Sequence, residues 1–284
     1  MEITNAQRAQ ILIHALPYIK EYYNKIVVVK YGGNAMIDEQ LKQDVMGDII
    51  LLSLIGVKVV LVHGGGPEIS AALKVYGKKS EFVDGLRVTD KESAEIVQMV
   101  LAGKVNKSLV NLIDVKGGKA IGLSGIDGKM IQAEQLDERL GYVGNISKIN
   151  PEPVLNALDN GYIPVIATVG CDDEGNIYNI NADTAAAEIA GVLGAHSFIN
   201  MTDIVGLLKD KNDKSSLISE IDVSTAAQYI KDSTIEGGMI PKVECCIEAI
   251  RRGVDKVFII DGTIPHAILI ETLTDEGSGT MFKG

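Results

Sequence analysis

Short apolar runs alternate with longer segments of helical periodicity along most of the chain. Residues 25–30 (KIVVVK) and 56–63 (GVKVVLVH) are rich in β-branched residues and are followed by glycines, so both are predicted to be buried strands. Between them, apolar residues recur every three or four positions across 38–55, which predicts a helix.

The same alternation continues towards the C-terminus. It predicts an α/β fold with an open, largely parallel sheet sandwiched by helices, because near-continuous apolar strands need cover on both faces. A polar segment at 171–181 is expected to form a hairpin near the middle of the chain. Further strands are predicted at 119–123, 163–169, 196–201 and 256–260, and further helices at 92–101, 183–193, 223–231 and 239–252.

The first 24 residues form a separate amphipathic segment. Leu12, Leu16, Ile19 and Tyr23 fall on one apolar stripe of a helix, and Pro17 within that stripe predicts a kink. The pattern fits equally a helix that packs on its own domain and a helix that pairs with another subunit.

Composition and charge narrow the classes of partner. A net charge of −11 disfavours nucleic acid and anionic membranes, although local lysines and backbone amides can still bind a small anion. The chain has no apolar run of membrane-spanning length and no signal-peptide pattern, so a cytoplasmic location is expected. The three cysteines and four histidines show no ligand spacing, and no metal site is predicted.

Two glycine-rich turns follow predicted strands. Gly32-Gly33 comes after Lys30, and Gly64-Gly65-Gly66 comes before Pro67, which suits the start of a helix. Glycines let backbone amides approach an anion closely, and a following helix adds its positive end. Because ligands of parallel sheets bind at the carboxyl ends of strands, an anion site is expected at this edge.

Several common sequence motifs are absent, which argues against the enzyme classes that carry them. The chain has no G-x-x-x-x-G-K-[ST] motif and no G-x-G-x-x-G motif after a predicted strand. Neither a P-loop nucleoside triphosphatase nor an enzyme with a dinucleotide cofactor is therefore indicated. The H-G-G-G at 63–66 resembles the oxyanion loop of esterases, but the required G-x-S-x-G is absent.

Five motifs occur in order along the chain, namely K-Y-G-G (30–33), H-G-G-G-P (63–67), G-L-R-V-T (85–89), N-I-N-A-D (179–183) and G-G-M-I-P-K (237–242). Together they resemble the amino acid kinase superfamily, and the resemblance runs from about residue 25 to the C-terminus. Among its members, the set is similar to those that phosphorylate the side-chain carboxylate of N-acetyl-L-glutamate, the second step of arginine biosynthesis.

The resemblance implies a division of the chain into three parts. Residues 1–24 would be an oligomerisation helix, and 25–284 an amino acid kinase domain. Within that domain, a lobe of about 25–180 would bind acetylglutamate and a lobe of about 181–284 would bind ATP.

It also implies roles for individual residues. Lys30 and Lys242 would flank the transferring phosphoryl group, with Asp183 orienting both lysines. Gly33 and Gly65 would donate amides to the phosphoryl oxygens. The acetylglutamate would be held by Gly65, Gly66, Arg87 and Asn179, with Arg87 on the α-carboxylate.

ATP would bring Mg²⁺ on its phosphates rather than use a carboxylate cage. The residues implied to face ATP are Asp203, Ile204, Val205, Gly206, Leu207, Leu208, Thr234, Ile235 and Glu236.

The N-terminal helix and the tail resemble arginine-sensitive members. Those members form hexamers, as trimers of dimers, and bind the inhibitor L-arginine between this helix and the C-terminal lobe. The implied arginine site includes His266, Glu271 and Gly277.

Alternatives remain at this level. One is a kinase for another acid, such as acetylaminoadipate, glutamate or aspartate, since the sequence does not show pocket length. A uridylate kinase would need further phosphate-binding residues. A catalytically silent amino-acid sensor would be expected to lack Lys30, Asp183 or Lys242, and all three are present.

Overall fold

The computed structural model describes residues 4–210, 213–275 and 277–284. A π-helical turn, Met99–Val105, joins the fifth and sixth helices. The helices in the described part are α1 Asn5–His14, α2 Leu16–Tyr22, α3 Glu39–Leu54, α4 Gly66–Val75, α5 Lys91–Gln98, α6 Asn106–Val115, α7 Glu152–Asp159, α8 Ala182–Val192, α9 Val223–Lys231, α10 Met239–Arg251 and α11 Ala267–Leu273.

The strands form one large sheet and two small ones. They are β1 Ile26–Tyr31, β2 Lys58–His63, β3 Phe82–Val83, β4 Leu86–Arg87, β5 Ala120–Ser124, β6 Ile131–Gln135, β7 Gly144–Ile149, β8 Ile163–Ala167, β9 Val169–Cys171, β10 Ile177–Asn179, β11 Ser197–Thr202, β12 Glu220–Asp222, β13 Lys256–Asp261 and β14 Gly279–Lys283.

The large sheet has eight strands in the order β12-β14-β13-β11-β1-β2-β8-β5. Strands β13, β11, β1, β2, β8 and β5 are mutually parallel, while β14 runs antiparallel to β13 and pairs in parallel with β12. The predicted α/β class with a largely parallel sheet is confirmed. Strand β1 lies at the centre, so the residue that ends it is placed deep in the molecule.

Alternating residues of the central strands face two separate cores. Val27 and Val29 of β1 pack with α3, α6 and α11 on one face. Val28 packs with α8 and α10 on the other face. Since successive side chains of a strand point to opposite faces, this placement sends Lys30 to the same face as Val28, towards α8.

The strands and helices predicted from periodicity are confirmed within a few residues. Side-chain caps explain two of the helix starts: Asp38 accepts from the amides of Gln40 and Leu41 at α3, and Asn181 caps α8. The predicted helix at 92–101 continues as the π-helical turn and α6 rather than ending.

The hairpin expected at 171–181 is confirmed as the antiparallel pair β9 and β10. It belongs to a four-stranded sheet with the order β10-β9-β6-β7, which periodicity did not predict. This second sheet brings the end of β10 against the large sheet's carboxyl edge.

The N-terminal segment is broken where Pro17 predicted a kink. Helix α1 ends at His14, and α2 begins at Leu16 with the proline in its first turn. Helix α2 packs on α11 and buries Tyr22, whereas α1 has no buried residue. Among the described residues, no helix is both long and apolar enough to span a membrane.

Candidate active site

Three strands and three helices converge at the carboxyl edge of the large sheet. Strands β1, β2 and β11 end there side by side. Helices α4, α8 and α10 begin at the same edge, and a Cβ added to Gly64 would lie 3.3 Å from Ala182, which shows how closely α4 and α8 approach. Helix N-termini carry partial positive charge, so the edge favours anions before any side chain is considered.

Two lysines share one aspartate at this edge. The Nζ atom of Lys30 lies 2.9 Å from Asp183 Oδ1, and the Nζ atom of Lys242 lies 2.9 Å from Asp183 Oδ2. Lys30 also donates to the carbonyl oxygen of Met201 at 3.3 Å. The structure thus joins residues separated by more than two hundred positions in the sequence.

The protonation state of Asp183 follows from its surroundings. Burial alone would raise its pKa, but the Lys30 and Lys242 ammonium groups outweigh burial and lower the pKa to about 2. A lowered carboxyl pKa stabilises the folded state above the unfolded pKa of about 3.9, and this contribution is lost as the pH falls towards 2. At neutral pH the site therefore holds two cations on one carboxylate, with one positive charge in excess.

Lys242 is in an unfavourable position for a structural lysine. It lies in the first turn of α10, where the helix dipole repels a cation. Asp183, by contrast, lies in the first turn of α8, where a carboxylate is favoured. A lysine at a helix N-terminus beside the Asp183 carboxylate is better explained by a role in binding a ligand than by a contribution to stability.

Both glycine turns have structural reasons for glycine. Gly33 has a φ of 69°, and a Cβ there would lie 2.4 Å from Asp203 Oδ1. The Asp203 carboxylate accepts from the amide of Asn34 at 2.6 Å, which ties this turn to the end of β11. A Cβ at Gly65 would lie 2.7 Å from Leu101, so a side chain does not fit there either.

The amides at the start of α4 are available to a ligand. Gly65 is the N-cap and no side-chain hydrogen bond caps the helix. The first amides of a helix have no intrahelical partner. Gly65 lies just after the end of β2, and Gly33 lies just after the end of β1.

A small pocket of about 210 Å³ opens beside this turn, and Arg87 is the only charged residue among its described lining residues. The Arg87 side chain donates from Nη2 to the Gly66 carbonyl at 3.0 Å and to Ser70 Oγ at 2.9 Å. It donates from Nη1 to Ser80 Oγ at 2.6 Å, and it stacks 4.7 Å over the Phe82 ring.

These partners hold Arg87 without neutralising it. None of its described hydrogen-bond partners is a carboxylate, and burial lowers the pKa of Arg87 without abolishing its charge. Three of the five guanidinium N–H donors are used, which leaves two for a ligand. A buried cation fixed by neutral groups is suited to bind a carboxylate.

The other residues predicted to hold the acid also line the small pocket. Gly65, Gly66 and Asn179 are all part of its wall. Asn179 ends β10, and its Nδ2 lies 3.4 Å from Thr89 Oγ1. The second sheet thus supplies one wall and α4 supplies another.

A large cavity of about 760 Å³ lies beside the ends of β11 and β13 and the start of α10. Its lining includes all of residues 203–208 and 234–236, the two segments predicted to face ATP. The wall is completed by five residues that were not among those implied to face ATP, namely Lys209, Asp210, Ser233, Met239 and Asp261.

A third cavity of about 750 Å³ adjoins the small pocket and is lined by both Asp183 and Lys242. It shares Gly85, Leu86, Val143 and Asn181 with the small pocket. Its Gly237 and Gly238 follow directly on Glu236 of the large cavity. The lysine–aspartate cluster therefore lies between a compartment for a small anion and a compartment large enough for a nucleotide.

The residues that contact Arg87 were not predicted from the sequence. Ser70 lies one helical turn after Gly66 on α4, a spacing that places both on one face and offered a weak signal. Ser80 lies in an irregular segment, and Phe82 begins the two-residue strand β3, which is too short to show a periodicity.

A tail pocket of about 280 Å³ lies between α2 and the segment after α11. Glu271 and Gly277, two of the residues implied for an arginine site, line it. His266, the third, does not line it; its Nδ1 atom lies 2.6 Å from Asp48 Oδ1, where it joins α11 to α3.

A parallel sheet whose carboxyl edge holds two lysines, two glycine turns and several helix N-termini is the arrangement expected of a phosphotransferase. The model of the amino acid kinase family matches residues 25–261, and the chain belongs to this family.

Individual relatives narrow the family further. The chain is similar to a Brachyspira hyodysenteriae protein named acetylglutamate kinase, with 55% identity over 282 residues covering 99% of this chain and 98% of the relative. A Clostridium beijerinckii protein of the same name is 51% identical over 282 residues, covering 98% and 99%.

Among solved structures, the fold resembles N-acetylglutamate synthase from Neisseria gonorrhoeae, complexed with coenzyme A and N-acetyl-glutamate, with a TM-score of 0.85. The identity is 23%, and the match covers 97% of this chain but only 63% of that one. That likeness concerns the fold alone.

Proposed function

We propose that the protein transfers the γ-phosphoryl group of ATP to the side-chain carboxylate of N-acetyl-L-glutamate. The observation that carries this proposal is the position of Lys30–Asp183–Lys242 between the small pocket and the large cavity. The full-length similarity to proteins named acetylglutamate kinase supports the same substrate.

The small pocket would hold the acid. Arg87 would bind the α-carboxylate with its two remaining donors, and Asn179 would bind a polar group at the opposite wall. The amides of Gly65 and Gly66 would anchor the substrate beside α4. The other carboxylate then points towards the lysines, because Arg87 holds the first one at the far end.

The lysines would stabilise the charge that develops on the phosphoryl group. Phosphoryl transfer depends on positioning and electrostatic stabilisation rather than on covalent help from the protein. Lys30 and Lys242 would contact the phosphoryl oxygens from two sides, while the ionised Asp183 keeps both ammonium groups in place. The amides of Gly33 and Gly65 would add neutral donors.

The large cavity would take the nucleotide, and the substrate would be ATP with Mg²⁺ on its phosphates. Among the described residues, no group of three or more His, Cys, Asp or Glu side chains is arranged to hold a metal ion. A cytoplasmic location is proposed because the reaction consumes ATP.

The test is ADP release from MgATP with N-acetyl-L-glutamate, run beside glutamate, aspartate and acetylaminoadipate. We expect the highest kcat/KM with N-acetyl-L-glutamate. Equal or better turnover of another acid would keep the mechanism but replace the substrate. Folded protein that turns over none of them would instead indicate a sensor without catalytic activity.

We also propose that α1 mediates assembly of a hexamer from dimers. Ile11, Leu12 and Ile13 of α1 are 56%, 71% and 62% exposed, and no described residue of α1 is buried. Exposed apolar side chains on a helix without buried residues favour pairing with another subunit over packing on its own domain. Leu12→Glu should convert hexamers to dimers in analytical ultracentrifugation, whereas Arg8→Glu should not.

The tail pocket is proposed to bind L-arginine as an inhibitor. Its described lining has four carboxylates and one lysine; Glu21 and Glu220 pair with Lys256 and Lys283, and Glu271 and Asp275 would be the groups that meet a guanidinium group. Glu271→Gln should weaken inhibition by arginine at least tenfold without changing the KM for ATP. Inhibition unchanged in this variant would remove Glu271 from the site.

A further inference from the structure

A fully buried histidine lies directly beneath the glycine turn before α4. His63 ends β2 with 0% exposure, and its Nδ1 atom lies 2.8 Å from the carbonyl oxygen of Gly64. Its Nε2 atom lies 3.1 Å from Nδ2 of Asn106, which is 1% exposed. Neither side chain has a role in the proposed transfer.

The surroundings of Asn106 determine which ring nitrogen carries the proton. Its Nδ2 group also faces the carbonyl oxygens of Val165 at 2.8 Å and Leu123 at 3.1 Å. Two carbonyls can only accept, so the group facing them must be the amino group of the carboxamide. His63 Nε2 faces the same amino group and therefore carries no proton, while the Gly64 carbonyl facing Nδ1 can only accept, so the proton lies on Nδ1.

The ring stays neutral in this position. Burial lowers the pKa of His63 to about 4, because no described carboxylate compensates an imidazolium there. A neutral ring with its proton on Nδ1 donates a hydrogen bond to the Gly64 carbonyl throughout the physiological pH range.

The Gly64 carbonyl and the Gly65 amide belong to one rigid peptide unit. In a planar trans peptide the C=O and N–H bonds point in opposite directions. Holding the carbonyl towards His63 therefore fixes the direction of the Gly65 N–H. Glycine on both sides of this peptide would otherwise leave it free to rotate between several orientations.

We propose that Asn106 and His63 form a positioning chain that aims the Gly65 amide at the transferring phosphoryl group. The inference rests on the proposed function, since it assigns the Gly65 amide to the phosphoryl oxygens. His63 is a positioning residue and does not touch the substrate. The hydrogen bond to Gly64 also polarises the peptide and strengthens its N–H as a donor.

The first test measures the wild-type ring directly. Histidine labelled with ¹⁵N gives four ring systems in this chain, and His63→Asn identifies the buried one. We expect the Nδ1-protonated tautomer, with no titration from about pH 6 to about pH 8. An Nε2-protonated ring, or a ring that titrates in this range, would overturn the proposal.

The second test compares two substitutions by steady-state kinetics. His63→Leu fills the space but cannot donate, while His63→Asn places a carboxamide N–H near the position of Nδ1. Complete loss of one oxyanion donor lowers turnover by roughly 10²–10³-fold, so a misaimed donor in His63→Leu should lower kcat by roughly 10–10²-fold. His63→Asn should stay within about fivefold of wild type, and both KM values should change less than about twofold.

The outcomes separate this inference from the proposed function. If the wild-type protein transfers no phosphoryl group, the proposed function is contradicted, while the tautomer measurement remains valid. Active wild type with an unchanged kcat in His63→Leu, or with equal losses in both variants, contradicts the positioning chain. Asn106→Leu, which removes the donor to Nε2, covers the case in which His63→Leu does not fold, and it should lower kcat with little change in KM.

Discussion

The small pocket and the large cavity lie on either side of the two lysines, yet they are built from opposite kinds of groups. The small pocket has one buried arginine held by neutral partners. Among its described lining residues, the large cavity has one lysine and four carboxylates, and residues 203–208 form a continuous stretch of its wall. The first is a fixed positive site, and the second is a roomy, acidic one.

This difference shows how one sheet edge can separate two anionic substrates. A short dicarboxylate is recognised by charge, so its pocket must be small and preorganised. A nucleotide carries its negative charge at one end only, so under the proposed function its phosphates would lie towards Lys30 and Lys242. The two lysines would then be the place where both substrates meet positive charge.

Removing a shared lysine should have the largest effect. Lys242→Ala is expected to fold and to lower kcat by roughly 10²–10⁴-fold, because it removes stabilisation of charge in the transition state. Both KM values should change much less than kcat. Steady-state kinetics beside Lys231→Ala, an exposed lysine at the end of α9, would check this; normal turnover in Lys242→Ala would remove it from the site.

Arg87→Ala should affect substrate binding in the small pocket alone. Loss of charge-assisted hydrogen bonds to a carboxylate should raise the KM for the acid by roughly 10–10²-fold. The KM for ATP should stay within about twofold. Arg139→Ala, which removes an exposed arginine paired with its neighbour Asp137, is the control. An equal rise in both KM values would mean that the two compartments are not independent.

Gly206→Ala should act on the other compartment with a smaller effect. Gly206 has a φ of 132°, and a Cβ there would lie 2.7 Å from Thr280 Oγ1, so the wall of the large cavity must shift. We expect the KM for ATP to rise roughly fivefold, with the KM for the acid unchanged. Gly161→Ala, with a φ of 70° but open space around it, should leave both KM values unchanged.

The sequence determined the parallel sheet, the position of both glycine turns and the break at Pro17. These features depend on local patterns, namely apolar runs, turn residues and proline geometry, which act over a few residues. The two lysines and their aspartate were found by resemblance to a known set of motifs, because no local pattern links Lys30 to Lys242.

The tertiary structure alone decided the second sheet, the partners of Arg87 and the separation of His266 from the tail pocket. Ser70, Ser80 and Phe82 meet Arg87 only because α4 and β4 pack together, and short strands such as β3 and β4 carry too few residues to show a period. The Asn106–His63 contact likewise joins α6 to β2 across 43 positions. Such contacts depend on which elements become neighbours in the fold, which periodicity along the chain does not encode.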